Sequence, residues 1–230
     1  MCWSEEVSFV SLAVGSVLNV AAFWYMWSER LRVRYTILWW QYALLMQAPE
    51  GLAWRAIHEE DDHALRRVSH TAMVLNVTQP LALMAILYRA YGRPPIYALV
   101  ALVYYILVVS VEAGDILSSS QDISPSEGCV HLNLGYWDGT RSLVYIVTVL
   151  IVFSSIPSAV WWLTNTCIFS VSLAIAKAGF SCGAPSVWCW TIVSAGPCIV
   201  LVQVYGRGRF GSDFADALPE AWLQYTAQRV

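Results

Sequence analysis

The chain reads Tyr35-Thr36-Ile37-Leu38-Trp39-Trp40-Gln41-Tyr42-Ala43-Leu44-Leu45-Met46-Gln47-Ala48-Pro49-Glu50-Gly51-Leu52-Ala53-Trp54-Arg55-Ala56-Ile57 over its second apolar stretch. That is long enough for a helix to cross a bilayer, which takes about 20 residues. Yet the stretch carries a carboxylate, Glu50, the amides Gln41 and Gln47, and Pro49. A charge inside hydrocarbon costs on the order of a few kcal/mol. Glu50 lies about seven residues from the end of the stretch, roughly 10 Å along a helix, so it is neither central nor clearly at an interface. Gln47 and Glu50 are three apart and share a helix face. Pro49 has no N–H, which frees the carbonyl of Leu45 and favours a kink. Within a membrane another donor must satisfy that carbonyl. Two readings follow. Glu50 is a protonatable group facing a cavity, or it is held by amides of neighbouring helices or reaches toward Arg55. Polar contacts of the second kind are common in helix bundles.

Composition points the same way. Apolar residues make up 58% of the 230 and charged residues 13%, about half the charge of a soluble domain, roughly 25%. Many of the 12 tryptophans sit at block ends, among them Trp24, Trp27, Trp39, Trp40, Trp54, Trp161, Trp162 and Trp188. That suits interfacial belts, with some left to pack in a core. A net charge of −3 argues against a nucleic-acid partner, which wants a basic face. The expected partner is the lipid bilayer.

Outward from the second stretch, residues 7–27 are apolar apart from small residues and Asn19. No basic region precedes them, so they predict a retained first helix and not a signal peptide. Residues 68–88 predict a third helix, with Asn76 and Gln79-Pro80 repeating the device of the second: an amide beside a proline. A fourth begins after Pro94-Pro95 and runs to about Ala113. Residues 142–177 are too long for one span, and Ile156-Pro157-Ser158 is the natural break. That gives helices over about 142–158 and 161–178, the alternative being one span plus a re-entrant piece. Residues 186–205, with Pro197 inside, predict the last.

The expected fold is therefore all-α: a polytopic transmembrane bundle of seven helices over residues 1–205. Residues 206–230 form a tail, with Pro219-Glu220 able to start a short interfacial helix. Acidic Glu5 and Glu6 before the first helix, and Arg30, Arg32 and Arg34 after it, place the amino terminus outside and the carboxyl terminus in the cytoplasm. Arg89, Arg93, Arg207 and Arg209 fall on the same cytoplasmic side. Cys129 and Cys182 fall together outside, where a disulfide is permissible. Cys167, Cys189 and Cys198 lie within helices and read as small packing residues.

Several short pieces resemble an uncharacterised family of small polytopic membrane proteins of protists, algae and large DNA viruses. They are the opening Met1-Cys2-Trp3-Ser4, Met46-Gln47, Gln79-Pro80, the patch from Gly128-Cys129 to His131, and Pro185-Ser186-Val187-Trp188-Cys189. The resemblance covers the chain to about Tyr205 and implies the topology, not an activity. A histidine often precedes the Gln-Pro pair in that family. Leu75-Asn76-Val77-Thr78 has none here, which leaves any chemistry carried by that histidine without a bearer.

Three function classes remain. A transporter, channel or small-ligand-binding protein would use the intramembrane cluster Glu50, Gln47, Gln79 and Asn76, with Asn165 also able to line the path, since proline-broken helices mark such sites. A metal-dependent membrane hydrolase would need converging ligands, the candidates being His58, His70, His131 and Asp115. A structural or assembly protein needs neither. The acidic run His58-Glu59-Glu60-Asp61-Asp62-His63 reads as a solvated loop. A retinal protein needs a desolvated lysine for its Schiff base, and the sole lysine, Lys177, falls at a helix end. No cofactor is expected, and an enzyme is the less favoured outcome.

Overall fold

The computed structural model describes residues 4–28, 32–119, 124–125, 132–133, 139–179 and 184–210. Within them the chain forms α1 (Glu5–Ser28), α2 (Arg34–Leu44), α3 (Gln47–His58), α4 (Asp62–Tyr91), α5 (Ile96–Val111), α6 (Ala113–Ser119), α7 (Gly139–Phe153), α8 (Ala159–Gly179) and α9 (Ala184–Phe210). A two-residue antiparallel ladder, β1 (Ser124–Pro125) against β2 (Leu132–Asn133), sets Ser124 opposite Asn133. The architecture is all-α.

Among the described residues the nine helices fall into seven runs. The predicted second helix is broken once, between α2 and α3. Leu45 and Met46 keep right-handed helical dihedrals (φ −59°, ψ −18° and φ −57°, ψ −23°). The turn there tightens: the Leu45 carbonyl that Pro49 cannot bond accepts instead from the Ala48 N–H, at 3.1 Å. The α5–α6 run is interrupted only at Glu112, whose N–H still bonds the Val108 carbonyl at 3.0 Å. Residues 154–158, with Pro157, separate α7 from α8, at the expected break. By contrast α4 runs unbroken through Pro80, and α9 through Pro197.

Two boundaries differ from the sequence reading. The acidic stretch is not all loop, because α4 starts six residues early. The Asp61 carboxylate accepts from the Ala64 N–H at 2.9 Å and caps the helix, and Glu60 makes the reversal at φ +54°. At the other end α9 continues to Phe210, past residue 205, because Gly206 and Gly208 stay helical.

The burial pattern of α1 decides how the helices meet. Its buried stripe is Ser8, Ser11, Gly15, Asn19, Ala22 and Met26, at helical spacing. Its exposed face holds Val10, Val14, Val17, Val20 and Trp24. Small and polar side chains point in and large apolar ones point out, the reverse of a water-soluble helix. The small stripe lets backbones approach. A Cβ on Gly15 would lie 3.2 Å from Val193, and one on Gly196 would lie 2.4 Å from the Asn19 Oδ1 and 3.2 Å from the Ala22 Cβ. Gly15 thus faces Val193 while Asn19 and Ala22 face Gly196, so α1 and α9 run in the same direction. The main core gathers around Trp39, Trp40, Leu83, Phe153, Phe169 and Ile199, from five different helical runs.

Two segments, Glu5–Trp27 and Asp62–Tyr91, are long and apolar enough to cross a bilayer. The other apolar helices described, such as Ile96–Val111 and Thr140–Phe153, are shorter than that.

Gly196→Ala should destabilise the bundle by about 1–3 kcal/mol, the range for overpacking. The Asn19 side chain cannot yield without losing its bond to Gln41, at 3.2 Å. Gly208 has nothing within 4 Å of its added Cβ, so Gly208→Ala should leave the melting temperature in the same detergent unchanged or slightly raised. Equal losses from the two substitutions would refute the close α1–α9 approach.

Candidate functional site

Four consecutive residues of α2 bond to three other helices. Successive helical residues point about 100° apart, so Trp39, Trp40, Gln41 and Tyr42 radiate all round their helix. The Trp39 Nε1–H donates to the Gln79 carbonyl of α4 at 3.0 Å. The Trp40 Nε1–H donates to Asn165 Oδ1 of α8 at 2.8 Å, and the Asn165 Nδ2 donates on to the Trp161 carbonyl at 2.9 Å. The Gln41 amide gives to Ser16 Oγ at 2.9 Å and takes from the Asn19 Nδ2, both on α1. The Tyr42 hydroxyl pairs with Thr78 Oγ1 at 2.6 Å. Trp39 also packs edge-on against Trp40 and Phe153, with ring centroids 4.7 and 5.1 Å apart.

The turn of α4 before Pro80 is the second polar centre. Gln79 is 1% exposed. Its Oε1 accepts from the Tyr145 hydroxyl of α7, and its Nε2 donates to Asn76 Oδ1 at 3.3 Å. The Tyr105 hydroxyl of α5 donates to the Val77 carbonyl at 2.8 Å. Proline weakens the backbone ladder around it, and the donors that meet these carbonyls come from α2 and α5. Gln79 and Asn76 are therefore together, as the sequence grouped them, with the Gln79 amide occupied on both sides.

Gln47 and Glu50 sit on α3, which packs between α1 and α4. Gln47 is 0% and Glu50 4% exposed, so the carboxylate is an interior group. One proposed partner is corrected: Arg55 does not serve Glu50. Its Nε donates to the Glu5 carboxylate at 2.8 Å and its Nη2 meets the same oxygen. Arg55 lies at the last turn of α3 and Glu5 at the first turn of α1, on one end of the molecule. At Gly51 an added Cβ would strike the Phe9 ring at 2.9 Å, which shows how closely α1 covers this face.

A cleft between α4, α5, α6 and α7 has room for about one water molecule. It is walled by Val77, Tyr105, Val109, Ile116 and Val144. The ion pair from Arg141 Nε to Glu112 Oε2, 2.6 Å long, adds to its lining. Gln47, Glu50 and Gln79 do not line it.

The metal candidates are scattered where they are described. His58 is exposed at the end of α3 with its ring near Trp54, His70 is half-buried in α4, and Asp115 is exposed in α6. Among the described residues no three His, Cys, Asp or Glu side chains converge. His131, Cys129 and Cys182 lie outside the described residues, as do residues 211–230 with the tail helix at Pro219. Cys167 is exposed, so it is not the packing residue expected of it, while Cys198 is half-buried.

Sequence reasoning missed the hydrogen-bonding tryptophans. Trp39 and Trp40 are 0% exposed, so they are core donors and not belt residues, and Trp54 and Trp161 are buried too. Trp24 at 64% and Trp27 at 47% are exposed, as a belt role would require. The only advance signal was that Trp39 and Trp40 directly precede Gln41 in a stretch already marked by polar residues. No protein-family model, curated protein or solved structure matches the chain.

Trp40→Phe with Asn165→Leu should show a favourable coupling of about 0.6–1.7 kcal/mol in a double-mutant cycle of unfolding, the range for membrane-helix hydrogen bonds. Strict additivity of the two losses would sink the bridge from α2 to α8.

Proposed function

We propose that this is a multi-pass integral membrane protein whose seven helical runs all cross the bilayer, with the amino terminus outside and the carboxyl terminus in the cytoplasm, and whose buried polar side chains serve mainly to hold the helices together. The observation that carries this reading is the inverted surface. Only 28% of the apolar window of α1 and 39% of that of α4 are buried. A soluble core helix would be mostly covered. Ile96, Val100, Val103, Leu107 and Val111 likewise leave α5 with a broad apolar face exposed, an area water would penalise and lipid would accept. Runs α2–α3 and α5–α6 reach spanning length once their tightened joints are crossed.

Ion pairs support the threading. Glu5 with Arg55 ties the start of α1 to the end of α3, and Glu112 with Arg141 ties the end of α5 to the start of α7. The Tyr97 hydroxyl reaches the Ser154 carbonyl at 3.1 Å, tying the start of α5 to the end of α7. Antiparallel neighbours meet in this way at both ends. The structural role is favoured over transport because Gln79 and Asn165 are bonded within the protein and line no described path.

A second reading rests on Glu50. A carboxylate 4% exposed, beside Pro49 and a tightened turn, is the kind of group that binds a proton or a small cationic ligand in a carrier. The metal-hydrolase reading has less behind it, since His58, His70 and Asp115 do not converge.

Membranes from cells expressing the chain should retain it after a carbonate wash and release it only with detergent. Single cysteines at His63 and Arg93, both exposed, should label from opposite sides of sealed vesicles. Labelling from one side alone would overturn the topology. Glu50→Gln separates the two functional readings: a structural role leaves pH-dependent ligand or proton uptake by proteoliposomes unchanged from wild type, whereas a carrier loses it.

A further inference from the structure

The arginines at the two ends of the molecule are treated differently. At the end holding the start of α1, Arg55 and Arg141 each bond a glutamate, and the exposed Arg66 and Arg67 follow shortly after the acidic Glu59, Glu60, Asp61 and Asp62. At the other end Arg32, Arg34, Arg89 and Arg93 have no carboxylate partner among the described residues. Arg32, Arg89 and Arg93 are exposed and Arg34 is half-buried. They share one end because α1 ends where α2 begins, and α4 runs back antiparallel to α2: Trp39 meets Gln79 and Tyr42 meets Thr78.

Aromatic rings frame these charges. The Arg34 guanidinium lies 3.8 Å from the Trp27 ring centroid and 5.2 Å from that of Tyr35, with Nη1 donating to the Trp27 carbonyl at 3.5 Å and Nε buried. Stacking fixes the plane of the guanidinium while leaving donors for an incoming acceptor. Trp27 is 47% and Tyr88 56% exposed, and such amphipathic rings settle at headgroup depth. The exposed apolar face of α1, through Val17 and Trp24, runs directly into this rim. An acyl chain would find surface beside the charge.

We propose that the rim of Arg32, Arg34, Arg89 and Arg93, set between Trp27 and Tyr88, binds the phosphate headgroup of anionic phospholipids. The inference rests on the membrane reading above. Arginine offers the fork that matches a phosphate, and unpaired basic residues at a membrane surface each favour anionic lipid. A free inorganic phosphate offers the same oxygens but gains nothing from the neighbouring apolar face.

The test uses the full chain purified in mild detergent and titrated with phosphatidylglycerol or phosphatidylcholine, with bound lipid read by native mass spectrometry. Wild type should prefer phosphatidylglycerol. Arg89→Gln/Arg93→Gln, both exposed and outside the core, should weaken that preference about thirty-fold. Arg66→Gln/Arg67→Gln, at the other end, should leave it intact. Arg34→Lys keeps the charge without the planar fork and should weaken it less than the double substitution. An unchanged preference in Arg89→Gln/Arg93→Gln, an equal loss in the control, or full competition by inorganic phosphate would overturn the proposal. A chain lost from vesicles by carbonate refutes the membrane reading. A chain that resists carbonate yet shows no lipid preference refutes the rim alone.

Discussion

Trp39, Trp40, Gln41 and Tyr42 hold α1, α4 and α8 by hydrogen bonds from one turn of one helix. Trp39, Trp40 and Gln79 are buried away from any solvent that could take those bonds over, so a polar group left there without a protein partner costs far more than in a surface loop. The packing of α2 is therefore directional as well as apolar: its rotation is fixed by bonds to three different helices. The Trp39, Trp40, Phe153 and Phe169 rings fill the space between. Once α2 is fixed, Gln79 is fixed through Trp39, and Tyr145 and α7 follow through the Gln79 amide.

Proline has different consequences at its different sites, and the neighbours explain why. At Pro49 the chain absorbs the missing donor locally by tightening the turn before it, and the helix divides into α2 and α3. At Pro80 the helix continues, and tyrosine and tryptophan from α5 and α2 meet the carbonyls of the preceding turn. Proline is tolerated inside such a helix where neighbouring helices bond the backbone groups around it. Pro157 does separate two helices, within a turn whose hydroxyls Ser154 and Ser155 cap the end of α7 at 2.6 Å each.

Much of this was legible in advance, for reasons that can be located. Long apolar blocks and the intervening prolines and charges are local properties, so the number and rough limits of the helical runs, and the breaks near Pro49 and Pro157, follow from the sequence. The pairing of Asn76 with Gln79 was equally local, since three residues apart is one face. What could not be read was which residue of another run stands opposite. Trp39 and Trp40 look like belt residues because a buried indole and an interfacial one have the same composition, and only Asn165, 125 positions away, tells them apart. Arg55 looked available to Glu50 for the same reason: Glu5 is distant in sequence and adjacent in space.

Helix α1 links these observations. Its buried Ser8, Ser11, Gly15, Asn19 and Ala22 add little apolar area, so burial on that face contributes little drive of the kind that folds a soluble helix. Its stability must come from close contact and polar bonding, and the structure supplies both. Gly196 sits against Asn19, Gly51 against Phe9, and Gly15 between Leu44 and Val193, while Gln41 bonds Ser16 and Asn19. A face so built competes poorly with water, and its opposite face of Val10, Val14, Val17 and Val20 is covered more favourably by lipid than by water. Both halves of the helix surface favour the same surroundings, and the membrane reading rests on that agreement more than on the length of any single helix.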